Sequence, residues 1–107
     1  NLIFDLGKSS IKPEAAKELN KLAKIMKANP SMRIRLAGHT DKRGSSRKNR
    51  ILSEERVESA KAYLIRQGVR SVNIETKGWG DQKPLMVTKS VERGKINRRV
   101  EIEVLAR

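Results

Sequence analysis

The sequence predicts an α+β fold in the order β-α-β-α-β-β, with two main helices packed on one face of a mixed four-stranded sheet. Three observations lead there. Two stretches carry apolar residues at helical spacing, four carry them at strand spacing or as a short apolar run, and glycines and prolines separate them. The 107 residues fit a single domain over 1–107, with no linker, internal repeat or low-complexity tract to divide them.

Leu2-Ile3-Phe4 reads as a short strand, and Asp5-Leu6-Gly7-Lys8-Ser9-Ser10 as a polar turn after it. Pro13 suits the first turn of a helix, and Glu14 complements the positive end of its dipole. Ala15, Leu19, Leu22 and Met26 form one stripe, and Lys17, Lys21, Lys24 and Lys27 lie mostly off it. Asn29-Pro30 ends this helix, because proline disfavours helical geometry in the residue before it.

Met32, Ile34 and Leu36 alternate with Arg33, Arg35 and Ala37, which predicts a strand leaving at Gly38. A sharp turn at Gly44 leads to a second helix over Ser46 to Gln67, with Leu52, Val57, Ala60 and Leu64 inward and Gly68 as its stop. Val72, Ile74 and Thr76 mark a third strand, broken by Gly78-Trp79-Gly80-Asp81. After an irregular region through Pro84 and Gly94, Val100, Ile102 and Val104 alternate with Arg99, Glu101 and Glu103 as the last strand.

Composition narrows the function. Lys and Arg outnumber Asp and Glu by 25 to 12, a net charge of +13, which favours an anionic partner. Lys42, Arg43, Arg47, Lys48 and Arg50 form one basic cluster, and Arg93, Lys95, Arg98 and Arg99 another. Nucleic acid or another polyanion is the alternative these clusters raise, but aromatics are only 3% of the chain and give no stacking platform for bases. No nucleic acid is expected as partner. Cysteine is absent and His39 is the only histidine, so a metal site lacks its usual ligands and none is expected. No nucleophile elbow occurs, and Asp41 with Glu54 or Glu55 has no spacing that demands a carboxylate pair. The expectation is a protein without catalytic residues or cofactor, in which His39 orients its loop.

The chemistry concentrates between His39 and Arg56. Asp41 offers an acceptor for an ammonium, and Arg56 offers a fork of donors for a carboxylate. Such a pair suits a ligand with charges of both signs, an amino acid rather than a phosphate. The bland reading is an internal Asp41–Arg56 salt bridge pinning loop to helix.

These residues also resemble a known family, the OmpA-like peptidoglycan-binding domain. The pattern is Gly38-His39-Thr40-Asp41, with Gly44, Asn49, Leu52, Ser53 and Arg56 three, eight, eleven, twelve and fifteen positions after Asp41. Phe4-Asp5, Pro13, Tyr63-Leu64, Gly68-Val69, Gly78-Trp79-Gly80, Pro84 and Asn97-Arg98-Arg99-Val100-Glu101-Ile102 extend it over the chain. Two departures are Arg93-Gly94, where the family usually has Gly-Arg, and Thr88, where it often has Asn.

The resemblance implies non-covalent binding of the peptidoglycan stem peptide through its diaminopimelate. Asp41 and Arg56 would hold the charged end, Thr40, Asn49 and Leu52 would line the pocket, Arg98 would add a second positive group, and the Asp5-Leu6 loop a wall. It further implies a periplasmic, Gram-negative wall anchor, attached to the outer membrane through an N-terminal region outside this chain. A barrel, a lipid anchor or, for the wall anchor of a flagellar stator, an inner-membrane helix would each serve. A purely structural or dimerisation domain is the remaining alternative, and oligomeric state is left open.

Overall fold

The computed structural model describes residues 2–41, 44–82 and 97–107. In chain order these form β1 (Leu2–Ile3), α1 (Pro13–Ala28), β2 (Arg33–His39), α2 (Ser46–Arg66), β3 (Ile74–Gly80) and β4 (Arg99–Ala106). The strands make one sheet in the order β1-β4-β2-β3. β2 and β3 are parallel, and β4 runs antiparallel to both β1 and β2. The α+β expectation of two helices on a mixed four-stranded sheet therefore holds.

α1 starts with Pro13 in its first turn and Glu14 near its positive end, and carries Lys27 in its last turn. Its stripe of Ala15, Leu19, Leu22 and Met26 is buried, joined by Ala23. The helix stops at Asn29, whose side-chain amide donates back to the Ile25 carbonyl at 2.8 Å. Opposite the stripe lie Ile34 and Leu36 of β2, Ile74 of β3 and Val100 of β4, with Val57, Ala60 and Leu64 from α2 and Phe4 closing the core. Burying each of the larger aliphatic side chains contributes about 1.5–3 kcal/mol. The alternation along β2 divides the sheet: Ile34 and Leu36 face the helices, and Arg35 and His39 face the other side with Glu101 and Glu103 of β4.

α2 begins with Ser45, whose hydroxyl accepts the Lys48 amide at 3.1 Å, and ends before Gly68 at φ +101°. Glycines bring it close to the sheet. A Cβ at Gly38 would stand 2.5 Å from the Ser53 carbonyl oxygen, and one at Gly78 would stand 2.5 Å from Glu54 Cγ. This contact fixes where α2 delivers Ser53 and Arg56.

β3 departs from the expected strand in two ways. Val72 is exposed in a 3-10 turn over Ser71–Asn73 rather than in the strand, and the strand runs on through Gly78-Trp79-Gly80. The parallel ladder with β2 holds the glycines in place, with a register shift between Gly38 and His39 that pairs His39 with Gly80. Strand pairing here overrides glycine's weak intrinsic preference for strands. The expectations for the Pro84 to Ser90 loop, Thr88 and Arg93-Gly94 lie outside the described residues.

Candidate functional site

The C-terminal end of β2, the start of α2 and the turn after β1 surround a cavity of about 310 Å³. Its walls are Leu6, Gly7, Thr40, Asp41, Gly44, Asn49, Leu52, Arg56 and Arg98. Seven of the eight residues singled out from the sequence thus share one space, and Asp5 is the exception. The Asp5 carboxylate points away and pairs with Lys12 Nζ at 3.1 Å. Asp5 contributes its main chain instead, because its carbonyl accepts from Arg56 Nη2 at 3.0 Å.

Arg56 is fully buried and donates to three carbonyls. Nε reaches Lys8 at 2.8 Å and Nη1 reaches His39 at 3.0 Å, besides the Asp5 contact. The Phe4 ring lies beneath the guanidinium, 5.2 Å from Cζ. One side chain therefore ties the loop after β1 to the end of β2 and fixes the guanidinium plane at the cavity wall. Burial, followed by the neighbouring charge of Arg98, lowers the Arg56 pKa to about 10, with Asp41 opposing. Arg56 stays cationic at neutral pH.

Asp41 is also buried, and its Oδ2 lies 3.4 Å from Arg98 Nη1. Among the described residues Asp41 thus forms an ion pair with Arg98 of the Asn97-Arg98-Arg99 segment, and Arg56 is held by carbonyls rather than by the simple Asp41–Arg56 bridge of the bland reading. Arg98 is anchored in turn, since its Nε donates to the Phe4 carbonyl at 3.1 Å and its own carbonyl accepts the Phe4 amide at 2.8 Å. Among the described residues, two guanidiniums stand against one carboxylate in the cavity wall, an excess of positive charge.

Thr40 lies 2% exposed, and among the described residues its hydroxyl has no hydrogen-bond partner. A buried polar group left in this way carries a desolvation cost that a bound polar ligand would relieve. Leu6 and Leu52 supply apolar wall; Leu52 is half-buried, less enclosed than the inward position expected from its spacing. Asn49 donates to the Asp41 carbonyl at 3.3 Å and to Asp81 Oδ2 at 3.1 Å.

Ser53 is structural, accepting the Gly80 amide at 2.9 Å and donating to the Arg50 carbonyl at 2.7 Å. His39 sits on the opposite side of the sheet, with Nε2 2.8 Å from Glu101 Oε1, and meets the cavity only through its carbonyl. Sequence reasoning placed Gly44 at a turn and in the family pattern but not in the pocket wall, and did not single out Gly7 or Asp81 for the site. Positive φ values of 68° and 78° explain the two glycines, and turn-forming sequence around each was the available signal. Asp81 gave a weaker one, a lone acid after Gly78-Trp79-Gly80.

Comparison with known proteins places this arrangement. The chain is 39% identical over 102 residues to outer membrane protein A of Bordetella avium, covering 95% of this chain and 53% of that protein. It is 36% identical over 99 residues to the peptidoglycan-associated lipoprotein of Pseudomonas putida, covering 92% of this chain and 59% of that protein. The chain thus spans somewhat more than half the length of these two relatives. In three dimensions it is similar to the peptidoglycan-associated lipoprotein of Burkholderia pseudomallei, with a TM-score of 0.93 and 27% identity over 96% of this chain and 87% of that one. The C-terminal domain of Helicobacter pylori MotB shares the fold, with a TM-score of 0.88 at 23% identity, over 99% of this chain and 84% of that one. The OmpA family matches residues 3–98, and the chain belongs to it.

Proposed function

We propose that this chain is a non-catalytic wall-binding module that holds the diaminopimelate of the peptidoglycan stem peptide in the cavity between Asp41, Arg56 and Arg98. The observation that carries the reading is the pairing of opposite, buried charges with apolar walls in one open cavity of ligand size. The side-chain end of diaminopimelate bears an ammonium and a carboxylate on one carbon, at the tip of an aliphatic chain. Its carboxylate matches Arg56, whose plane is already set by three carbonyls, and each such charge-assisted bond adds about 1.5–3 kcal/mol. Its ammonium matches Asp41, the Thr40 hydroxyl gains a partner, and Leu6 and Leu52 cover the methylenes.

The similarity to two peptidoglycan-associated lipoproteins supports the same reading. In that role the module sits in the periplasm of a Gram-negative cell and tethers an outer-membrane or envelope protein through a region outside these residues. The flagellar-stator alternative rests on likeness of fold to MotB at 23% identity and is the weaker.

The test is a titration of free diaminopimelate against 1,5-diaminopentane, followed by amide chemical shifts. Diaminopimelate should shift the amides of Thr40, Asp41 and Asn49 saturably, and 1,5-diaminopentane, which has the same chain and ammonium groups but no carboxylate, should not. Equal and scattered shifts from both would refute recognition and leave adhesion by charge. Co-sedimentation with purified sacculi should then be lost on Asp41→Asn.

A further inference from the structure

Three segments of the cavity converge on the turn at the end of β3. The Gly80 carbonyl accepts the Thr40 amide at 2.8 Å, and the Gly80 amide donates to Ser53 Oγ at 2.9 Å. Gly80, at φ +64°, packs so tightly that an added Cβ would stand 3.1 Å from the backbone of Arg50. Asp81 follows, only 8% exposed. Its carboxylate accepts from Ser46 Oγ at 3.0 and 3.3 Å and from Asn49 Nδ2 at 3.1 Å, and Asn49 Nδ2 also reaches the Asp41 carbonyl.

A second fact gives this carboxylate an electrostatic task. The first turn of α2 contains no acid, although it carries Arg47 and Lys48 where the helix dipole is already positive. Asp81 supplies the missing negative charge from outside the helix. It is buried and does not line the cavity, so its influence on a ligand passes through Asn49.

We propose that Asp81 is a positioning residue for the binding site: it holds the Asn49 side chain against the Asp41 loop, so that the cavity is set before a ligand arrives. This rests on the diaminopimelate reading for its functional consequence, but the positioning is visible without ligand. The chemistry is that of a buried carboxylate orienting a neutral amide, whose two N–H groups then have defined targets. Preorganisation of this kind raises affinity by removing an ordering cost from the binding step.

Asp81→Asn tests it with little change of shape. In the ligand-free protein the Asn49 side-chain amide and the Thr40 and Asp41 backbone amides should shift and exchange faster. Affinity for free diaminopimelate should fall about tenfold, the effect of losing one charge-assisted hydrogen bond. Asp81→Asn combined with Asn49→Ala should bind no more weakly than Asn49→Ala alone, because the two residues act in series.

Because Asp81→Asn also loosens the helix start, Ser46→Ala serves as the second variant. It removes the hydroxyl that shares the carboxylate and spares the Asn49 contact, so it should lower the melting temperature without weakening the ligand. Affinity of Asp81→Asn within twofold of the parent, additive losses in the double variant, or equal weakening by Ser46→Ala would each overturn the proposal. If the parent itself binds no diaminopimelate, the wall reading fails, and the ligand-free shifts of Asn49, Thr40 and Asp41 decide the positioning by themselves.

Discussion

The start of α2 and the floor of the cavity carry the same kind of charge in opposite circumstances. Arg47, Lys48 and Arg50 are exposed, and the ion pair from Arg50 to Glu54 spans 3.8 Å at the surface. Such groups act over a screening length of about 8–10 Å in physiological salt, and exposed pairs contribute only about 0–1 kcal/mol. Arg56 and Arg98, by contrast, are buried and held by carbonyls at 2.8–3.1 Å. Their direction is fixed and they are largely out of water, so they can discriminate between ligands. On the proposed function, the net charge of +13 would bear on approach to an anionic surface, and two of the 25 basic residues on what is chosen there.

The largest effect should come from removing the buried cation that joins three segments. Arg56→Ala leaves the carbonyls of Asp5, Lys8 and His39 without their donor, and should cost at least about 3 kcal/mol of stability together with all measurable diaminopimelate binding. Denaturant unfolding and titration read the two losses separately. Arg56→Lys sharpens the comparison, since it keeps the charge and loses the fork; it should remain folded and bind at least tenfold more weakly. If Arg56→Ala proved as stable as the parent, Arg56 would belong with the surface cations.

Asp41→Asn should come next, because it removes the partner of Arg98 and the proposed acceptor for the ligand's ammonium. A loss of about 2–3 kcal/mol in binding is expected, with a smaller loss in stability because Arg98 keeps the Phe4 carbonyl. Binding unchanged from the parent would remove Asp41 from the site.

These two residues also mark how far the sequence could be read. The periods of α1, β2 and β4 were legible because each turns one apolar face to a common core. The extension of β3 through Gly78-Trp79-Gly80 was not, because there the ladder with β2 and the close approach of α2 decide, and neither is local. At the site, side-chain chemistry pointed to Asp41 and Arg56. It could not show that Arg56 is held by the main chain of Asp5, Lys8 and His39, since every residue carries a carbonyl and only the fold selects which ones point inward. For the same reason the sequence could name the Asp5-Leu6 loop as a wall but not show that Asp5 serves through its carbonyl while its carboxylate turns out to Lys12. Asp81 was hidden by distance, as it lies 32 residues from the Asn49 it orients.

Raising the pH tests whether the buried cation behaves differently from the exposed ones. Arg56, lowered to about 10, is charged below that pH and loses its charge above it, so its attraction for a carboxylate is present at neutral pH and disappears as pH rises through about 10. Diaminopimelate affinity should therefore be level from pH 6 to about 8 as far as this group is concerned, then decline toward 10. The effect on folding has the opposite sign. Above about 10 the unfolded chain still holds a proton on Arg56 that the folded chain has released, so this group's contribution to stability rises with pH there.

The smallest effect on recognition should come from the exposed cluster. Arg47→Gln, Lys48→Gln and Arg50→Gln together lower the net charge by three at the start of α2 without touching the residues that line the cavity. Affinity for free diaminopimelate should stay within about twofold, because these charges are solvated and screened. Removing positive charge from the first turn of α2 should leave the melting temperature unchanged or raise it slightly, each relieved dipole contact being about 0.3–1 kcal/mol at most. Binding to whole sacculi should weaken at low salt and converge on the parent as salt is added, since long-range attraction to an anionic wall is what the cluster supplies. A loss of free-ligand affinity as large as that of Asp41→Asn would mean that the exposed cluster, and not the buried pair, selects the ligand.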